Sequence, residues 1–206
     1  MTFMGSKTHR ARTVLEITIG IVVFCVFGAS PSCVRGQTLR QIAKFDLPGP
    51  VGKRFDYLTV DEEDHFLLSA HLGSGISYVI ELQSNKVVKA VPGLPGITGL
   101  EYVPGTHKVY TSDWGEDKIG IVDLQSITVV KRLPTAAKPN GSTYAAPFRK
   151  VYVADTLGKA VAVVDVTKDE IVKTIEFASE TGMPQYDSGA SQDAEGGSCQ
   201  GKFHHG

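Results

Sequence analysis

Three side chains with ligand chemistry recur at one interval: His71, Asp113 and Asp155 stand 42 residues apart. An imidazole and two carboxylates are competent donors to a metal ion or a polar ligand. Equal spacing, however, puts each on its own copy of a repeated unit, where it is expected to end a strand as a solvated loop residue. A second set, Glu81, Asp123 and Asp165, takes the same step, and a carboxylate before a tight turn caps backbone amides. Recurrence in every copy speaks for structure, because an active site needs unlike groups converging once. His65 and His107 align with Arg149 in a polar turn slot, and His204 and His205 offer adventitious metal binding at most. A phosphate loop, H-E-x-x-H, C-x-x-C and G-x-S-x-G are all missing from the sequence, and nothing orders its Ser, His and Asp into a nucleophile and base. No catalytic residue, metal site or cofactor is implied. Asn140-Gly-Ser is a glycosylation sequon, of consequence only in a host that modifies it.

The elements that carry these residues follow from the repeat itself. His65 to His71 (HFLLSAH) overlays His107 to Asp113 (HKVYTSD) and Arg149 to Asp155 (RKVYVAD), and the 42-residue step also links Val88, Val130 and Val172, Lys89, Lys131 and Lys173, and Tyr102, Tyr144 and Tyr186. Each copy holds four alternating or β-branched runs, in the second GLEYV, KVYTSD, KIGIVDL and TVVKRL, separated by turn signals. No helical periodicity follows residue 40. Four short strands in about 42 residues make a propeller blade. The expected fold is an all-β propeller of four-stranded blades, with repeats at about 55–96, 97–138 and 139–180 and a stub at 181–187. The slot of Tyr102, Tyr144 and Tyr186 is expected to pack between blades or to line the channel wall.

In such a blade the link from the outermost strand to the next innermost strand, and the link between second and third strands, reach one rim. The first class offers Arg54, Asp56, Thr98, Lys138 and Asn140; the second offers His71, Asp113, Trp114, Glu116, Asp155 and Lys159. Residues in one slot differ between blades, as a binding surface allows. Arg54, Asp56, His71, Asp113, Trp114, Lys138, Asn140 and Asp155 are the candidate ligand-binding set.

The strand pairs KVYTSD and IGIVDL, and KVYVADT and VAVVDVT, followed by VVKRL and IVKTI, resemble the bacterial YVTN-type propeller repeat, and RFDYLTVD (Arg54 to Asp61) resembles its YncE-like members. The resemblance runs from about Leu39 to Asp187 and implies a secreted or periplasmic seven-bladed parent fold. It speaks to fold more than function, because members serve diverse roles.

The ends of the chain read differently. Lys7, Arg10 and Arg12 precede an apolar run from Ile17 to Phe27, the plan of a secretory signal peptide over residues 1–36. That run is short for a bilayer span, so no stable membrane anchor is expected. Removing it takes away Cys25 and Cys33 and leaves Cys199, so no disulfide forms within the mature chain. The leader holds four basic side chains and one acidic, leaving 17 Lys or Arg against 21 Asp or Glu in residues 37–206, a net charge of −4. Such a surface argues against nucleic acid as partner. Residues 188–206 lack alternation and read as a disordered tail where a further strand is due.

Three blades and a stub form an incomplete ring, which two explanations fit: a truncated or frame-shifted copy of a longer propeller, or a short form that associates with other chains. Three blades have only two seams between them, and open blade faces allow self-association. Ile42 to Leu47 is expected to supply an exposed edge strand. The function reading is an exported binding or scaffold module for an unknown protein, polymer or small-molecule ligand. The alternative is a propeller enzyme or cofactor carrier, akin to metal-dependent lactonases or quinone and haem oxidoreductases.

Overall fold

The computed structural model describes residues 40, 41, 44, 46–50 and 54–188. The leader, most of the tail and much of Ile42 to Leu47 lie outside these residues. The chain divides into a unit ending at Ile42 and a unit beginning at Ala43, and the second holds every strand described.

Twelve strands form three antiparallel four-stranded sheets, each in sequential order. Blade 1 comprises β1 (Leu58–Asp61), β2 (Phe66–His71), β3 (Ile76–Glu81) and β4 (Lys86–Pro92). Blade 2 comprises β5 (Ile97–Val103), β6 (Lys108–Asp113), β7 (Lys118–Asp123) and β8 (Thr128–Pro134). Blade 3 comprises β9 (Pro139–Ala145), β10 (Lys150–Asp155), β11 (Ala160–Asp165) and β12 (Glu170–Glu176). These are the blades of an incomplete propeller ring, one per repeat. The second and third strands of blade 2 are buried at nearly every position because a neighbouring sheet covers each of their faces.

Local chemistry sets where each strand ends. The Asp123 carboxylate accepts the Ser126 amide at 2.9 Å, Asp165 accepts the Thr167 amide at 2.9 Å, and Glu81 accepts the Ser84 hydroxyl. His65, His107 and Arg149 close their turns with φ of 58°, 53° and 52°, so this slot serves a left-handed turn position. The outer strands share a bulge that alternation alone did not reveal. Val79 pairs with Lys89 and Ile80 with Val87, which leaves Val88 as the extra residue; Val130 and Val172 take the same place. An exposed bulge beside a lysine blunts each outer edge against pairing with another chain.

Two apolar seams hold the blades together. Leu68, Ala70 and Val79 of blade 1 meet Ile97, Leu100 and Val109 of blade 2 in the first. Tyr110, Ile119 and Ile121 of blade 2 meet Val151, Val153 and Ala162 of blade 3 in the second. Tyr102 lies in the first seam and Tyr144 packs on the second, as the recurring tyrosines suggested.

Residues 181–187 take the place of a further innermost strand without forming a ladder. The Thr143 hydroxyl accepts the Tyr186 amide at 3.3 Å, the counterpart of Glu101 accepting the Tyr144 amide at 2.8 Å. Met183 lies against Gly141, and the Tyr186 ring stands edge-on to Phe148. Of Ile42 to Leu47, Lys44, Asp46 and Leu47 are described and lie in no strand, and the rest of the expected edge strand lies outside the described residues.

Candidate functional site

Each turn between second and third strands is tied to the link entering its own blade, which builds one rim from both loop classes. Gly73 donates its amide to Arg54 O at 3.1 Å, Trp114 to Gly96 O at 3.2 Å, and Thr156 to Lys138 O at 2.9 Å. Gly96 is required there: its φ is +64°, and a Cβ would lie 2.7 Å from the Gly115 nitrogen. Arg54, Asp56, Trp114, Lys138 and Asn140 each lie on or beside the link or turn of their own blade on this rim.

His71, Asp113 and Asp155 are not solvated loop ends. All three are buried, at 2%, 0% and 0% exposure: Asp113 and Asp155 end second strands within the two seams, and His71 ends that of blade 1 beneath the Phe55 ring. Asp113 accepts the Thr111 hydroxyl at 3.0 Å and sits 3.6 Å from the Arg132 guanidinium, within ion-pair reach but beyond a hydrogen bond. Gly120 makes room for it, since a Cβ there would lie 2.8 Å from Asp113 Oδ2. Burial pushes the Asp113 carboxyl up to about 7, against the pull of Thr111 and Arg132. Asp155 accepts the Thr135 hydroxyl at 2.7 Å, and burial raises it to about 6. His71 lies under the Phe55 ring at a centroid distance of 4.0 Å, with Nδ1 3.3 Å from the Tyr78 hydroxyl. The Tyr78 hydroxyl in turn donates to Pro48 O. The three lie one blade apart and do not converge.

At the surface of blade 2 the rim is a lattice of paired charges. Arg132 donates to Glu116 at 2.7 Å and to Gly93 O, while Lys118 donates to Glu116 at 2.8 Å. Lys138 donates its amide to Asp117 at 2.9 Å and sets its ammonium 3.3 Å from the same carboxylate, which holds the Asp117 carboxyl below its ordinary range, and the ammonium also donates to Trp114 O at 3.0 Å. Trp114 is half-buried within this lattice. Arg54 pairs with Asp56 at 3.2 Å and is otherwise exposed, as is Lys159. The Thr98 hydroxyl lies 3.1 Å from both the Ser112 and Pro139 carbonyls, joining blades 2 and 3 beside half-buried Asn140.

Sequence reasoning passed over Arg132, Asp117 and Glu101. Glu101 is raised to about 7 by burial as it holds the amide of Tyr144. The available signal was a break in the repeat: Arg132 stands where the other blades have Ala90 and Thr174, and Glu101 where they have Thr59 and Thr143.

The opposite rim carries the acidic turn of blade 1. Glu63 accepts the Gly105 amide at 2.9 Å and the Tyr102 hydroxyl at 2.7 Å, and Asp64 meets His107 at 2.8 Å, raising the imidazole. These contacts bind blade 1 to blade 2 beside a shallow depression lined by Thr59, Val60, Glu62 and Pro104. Among the described residues no group of three or more His, Cys, Asp or Glu is placed to hold a metal ion, and no helix is long and apolar enough to cross a membrane.

No protein-family profile matches the chain, and no curated protein matches it. Solved structures do. The chain is similar to hydrazine synthase from Kuenenia stuttgartiensis at a TM-score of 0.58 and 20% identity, covering 72% of this chain and 41% of that one. It is similar to the WD40 repeats of RRP9 at 0.57 and 14%, covering 64% and 41%, and to apo AztD from Citrobacter koseri at 0.51 and 13%, covering 60% and 35%. The chain thus spans less than half the length of these structures, and at such identities the likeness establishes the β-propeller fold.

Proposed function

We propose that the chain is an exported propeller-fold binding module, akin to the YVTN-type repeat proteins, that takes its partner on the rim around Trp114. One observation carries the reading, the unlike residues in corresponding slots of the rim around Trp114. Slots on the Trp114 rim hold unlike residues, such as Leu72, Trp114 and Thr156, or Gly75, Asp117 and Lys159. The groups that recur in every copy have structural places, with Tyr102 and Tyr144 packed in the seams and Glu81, Asp123 and Asp165 ending the third strands. A fold needs the same group in every copy, whereas a surface that recognises one partner needs different groups. The charges of the rim are paired with one another instead of being set as a nucleophile and its base, which supports binding over turnover. Export is supported by the charged and apolar plan of the first 36 residues.

Trp114 is the single tryptophan, so its fluorescence reports on this rim alone. Titration with neutral oligosaccharides, polyaspartate and polylysine is expected to yield a saturable emission change for one class, weakened by Lys138→Ala and untouched by His107→Ala on the opposite rim. A probe that raises the melting temperature while leaving Trp114 emission constant places binding elsewhere and defeats the reading.

A further inference from the structure

The outward face of blade 1 is built as a blade seam, yet no sheet of the described residues lies on it. Phe55, Leu58, Val60 and Leu82 stand one repeat before Ile97, Leu100, Tyr102 and Leu124. The latter four are at most 8% exposed in the seam between blades 1 and 2, whereas the former are 43, 60, 44 and 39% exposed. Large apolar side chains gathered on one face, in slots that bury their counterparts, mark an interaction surface.

Charge and the state of the other terminal blade identify what fits there. In blade 2 this face carries Asp113 and Arg132; in blade 1 the same slots hold His71, stacked beneath Phe55, and Ala90. The face thus exchanges a buried carboxylate and a cation for a stacked ring and a methyl group. Arg54 and Asp56 at its edge neutralise each other. Two such faces can be laid together without like-charge repulsion. The covering of the terminal faces differs. On blade 1, Pro48 and Phe55 lie over Tyr78 and His71 of the third and second strands and leave the innermost strand open. Residues 181–187 instead lie along the innermost strand of blade 3, with Thr181 bonded to Ala160 O at 3.0 Å, Met183 against Gly141 and the Tyr186 amide on Thr143. A head-to-tail array needs both terminal faces open, whereas pairing like face with like face closes at two copies.

We propose that two copies of this chain associate through their blade 1 faces about a two-fold axis, burying Phe55, Leu58, Val60 and Leu82 of each. The pairing is independent of the Trp114 rim, and either reading can fail without the other. Sedimentation equilibrium of the full chain is expected to give twice the chain mass, independent of further concentration. The double variant Leu58→Glu, Leu82→Glu is expected to weaken association by about a hundredfold or more, since it buries unpaired charges. Val130→Glu, equally exposed on the outer edge of blade 2, leaves the pair intact. Should the double variant fail to fold, hydrogen exchange of the parent chain serves instead: residues 55–60 and 82–85 exchange more slowly in concentrated than in dilute samples. A parent chain that stays monomeric at about 100 μM, far above the Kd of a specific pair, overturns the proposal. So does a mass that grows without limit, a folded double variant that still pairs, or exchange that ignores concentration.

Discussion

The two seams of this arc descend from one repeat and solve the same problem by different chemistry. Each buries a carboxylate at the end of a second strand. Between blades 2 and 3, Asp155 is held by the neutral hydroxyl of Thr135. Between blades 1 and 2 the slot of Thr135 is Gly93, and Asp113 depends instead on Thr111 and on Arg132, which reaches across to Gly93 O. Loss of one neighbouring side chain in a repeat array is thus met by a charged residue at a position that is otherwise small or neutral. Toward the opposite rim the seams are again analogous but not alike, with Glu63 holding Tyr102 and Gly105, and Asp169 holding Tyr110 at 2.5 Å and Lys108 at 2.5 Å.

The largest effect is expected from Tyr110, whose buried ring fills the seam between blades 2 and 3. Tyr110→Ala is expected to cost about 3–5 kcal/mol, the range for removing a large aromatic from a core. Tyr110→Phe keeps the packing and removes only the bond to Asp169, at about 1–3 kcal/mol. Urea unfolding gives both values. A loss on Tyr110→Phe as large as that on Tyr110→Ala would show that the seam rests on the charged bond instead of the ring.

Acidity separates the seams next. An aspartate whose ordinary value is 3.8 is pushed up by burial to about 7 at Asp113 and to about 6 at Asp155. Between those values the native state retains a proton that the unfolded chain has released, so stability present near pH 4 is lost as pH rises through the folded value. For Asp113 the change is on the order of 2–4 kcal/mol between pH 4 and pH 8. Asp113→Asn is expected to remove a decline that runs from about pH 4 to about 7, and Asp155→Asn one that ends nearer pH 6. Subtracting the parent profile of urea midpoint against pH isolates each from Glu101, which contributes with the same sign. If both variants track the parent at every pH, the carboxylates are not held protonated in the seams.

How much of this was legible before the fold was known varies with how local each feature is. Strand runs and turn carboxylates such as Asp123 and Asp165 depend on neighbours within one copy, and periodicity exposed them. The burial of His71, Asp113 and Asp155 depends on what covers the strand end from the adjoining blade or, at His71, on the ring of Phe55. From the sequence a strand end looks wet. The bulge at Val88, Val130 and Val172 adds a single residue that alternation cannot register. Arg132 and Glu101 were visible only as departures from the repeat, which gain meaning once the seam they face is known. The candidate rim was legible as a set of loops, whereas the pairing of Arg132 with Glu116 and of Lys138 with Asp117 was not.

Arg132→Gln and Thr135→Val test the contrast between cationic and neutral support directly. Arg132 is partly exposed, so its attraction for Asp113 is weakened by solvent, and the loss is expected to be about 1–2 kcal/mol at pH 8. Near pH 5 Asp113 is protonated in the native state and its share of the loss fades, leaving that of the bonds to Glu116 and Gly93 O. Thr135→Val keeps the shape and removes one hydroxyl, at about 1 kcal/mol at pH 8. Its effect also fades in acid, but at lower pH, because Asp155 takes up its proton at about 6 instead of about 7. Added salt separates them further: it is expected to lessen the loss on Arg132→Gln and to leave that on Thr135→Val unchanged, since only the former is a screened interaction between charges. Equal salt dependence of the two losses, measured by urea midpoint at pH 8, would erase the distinction between the seams.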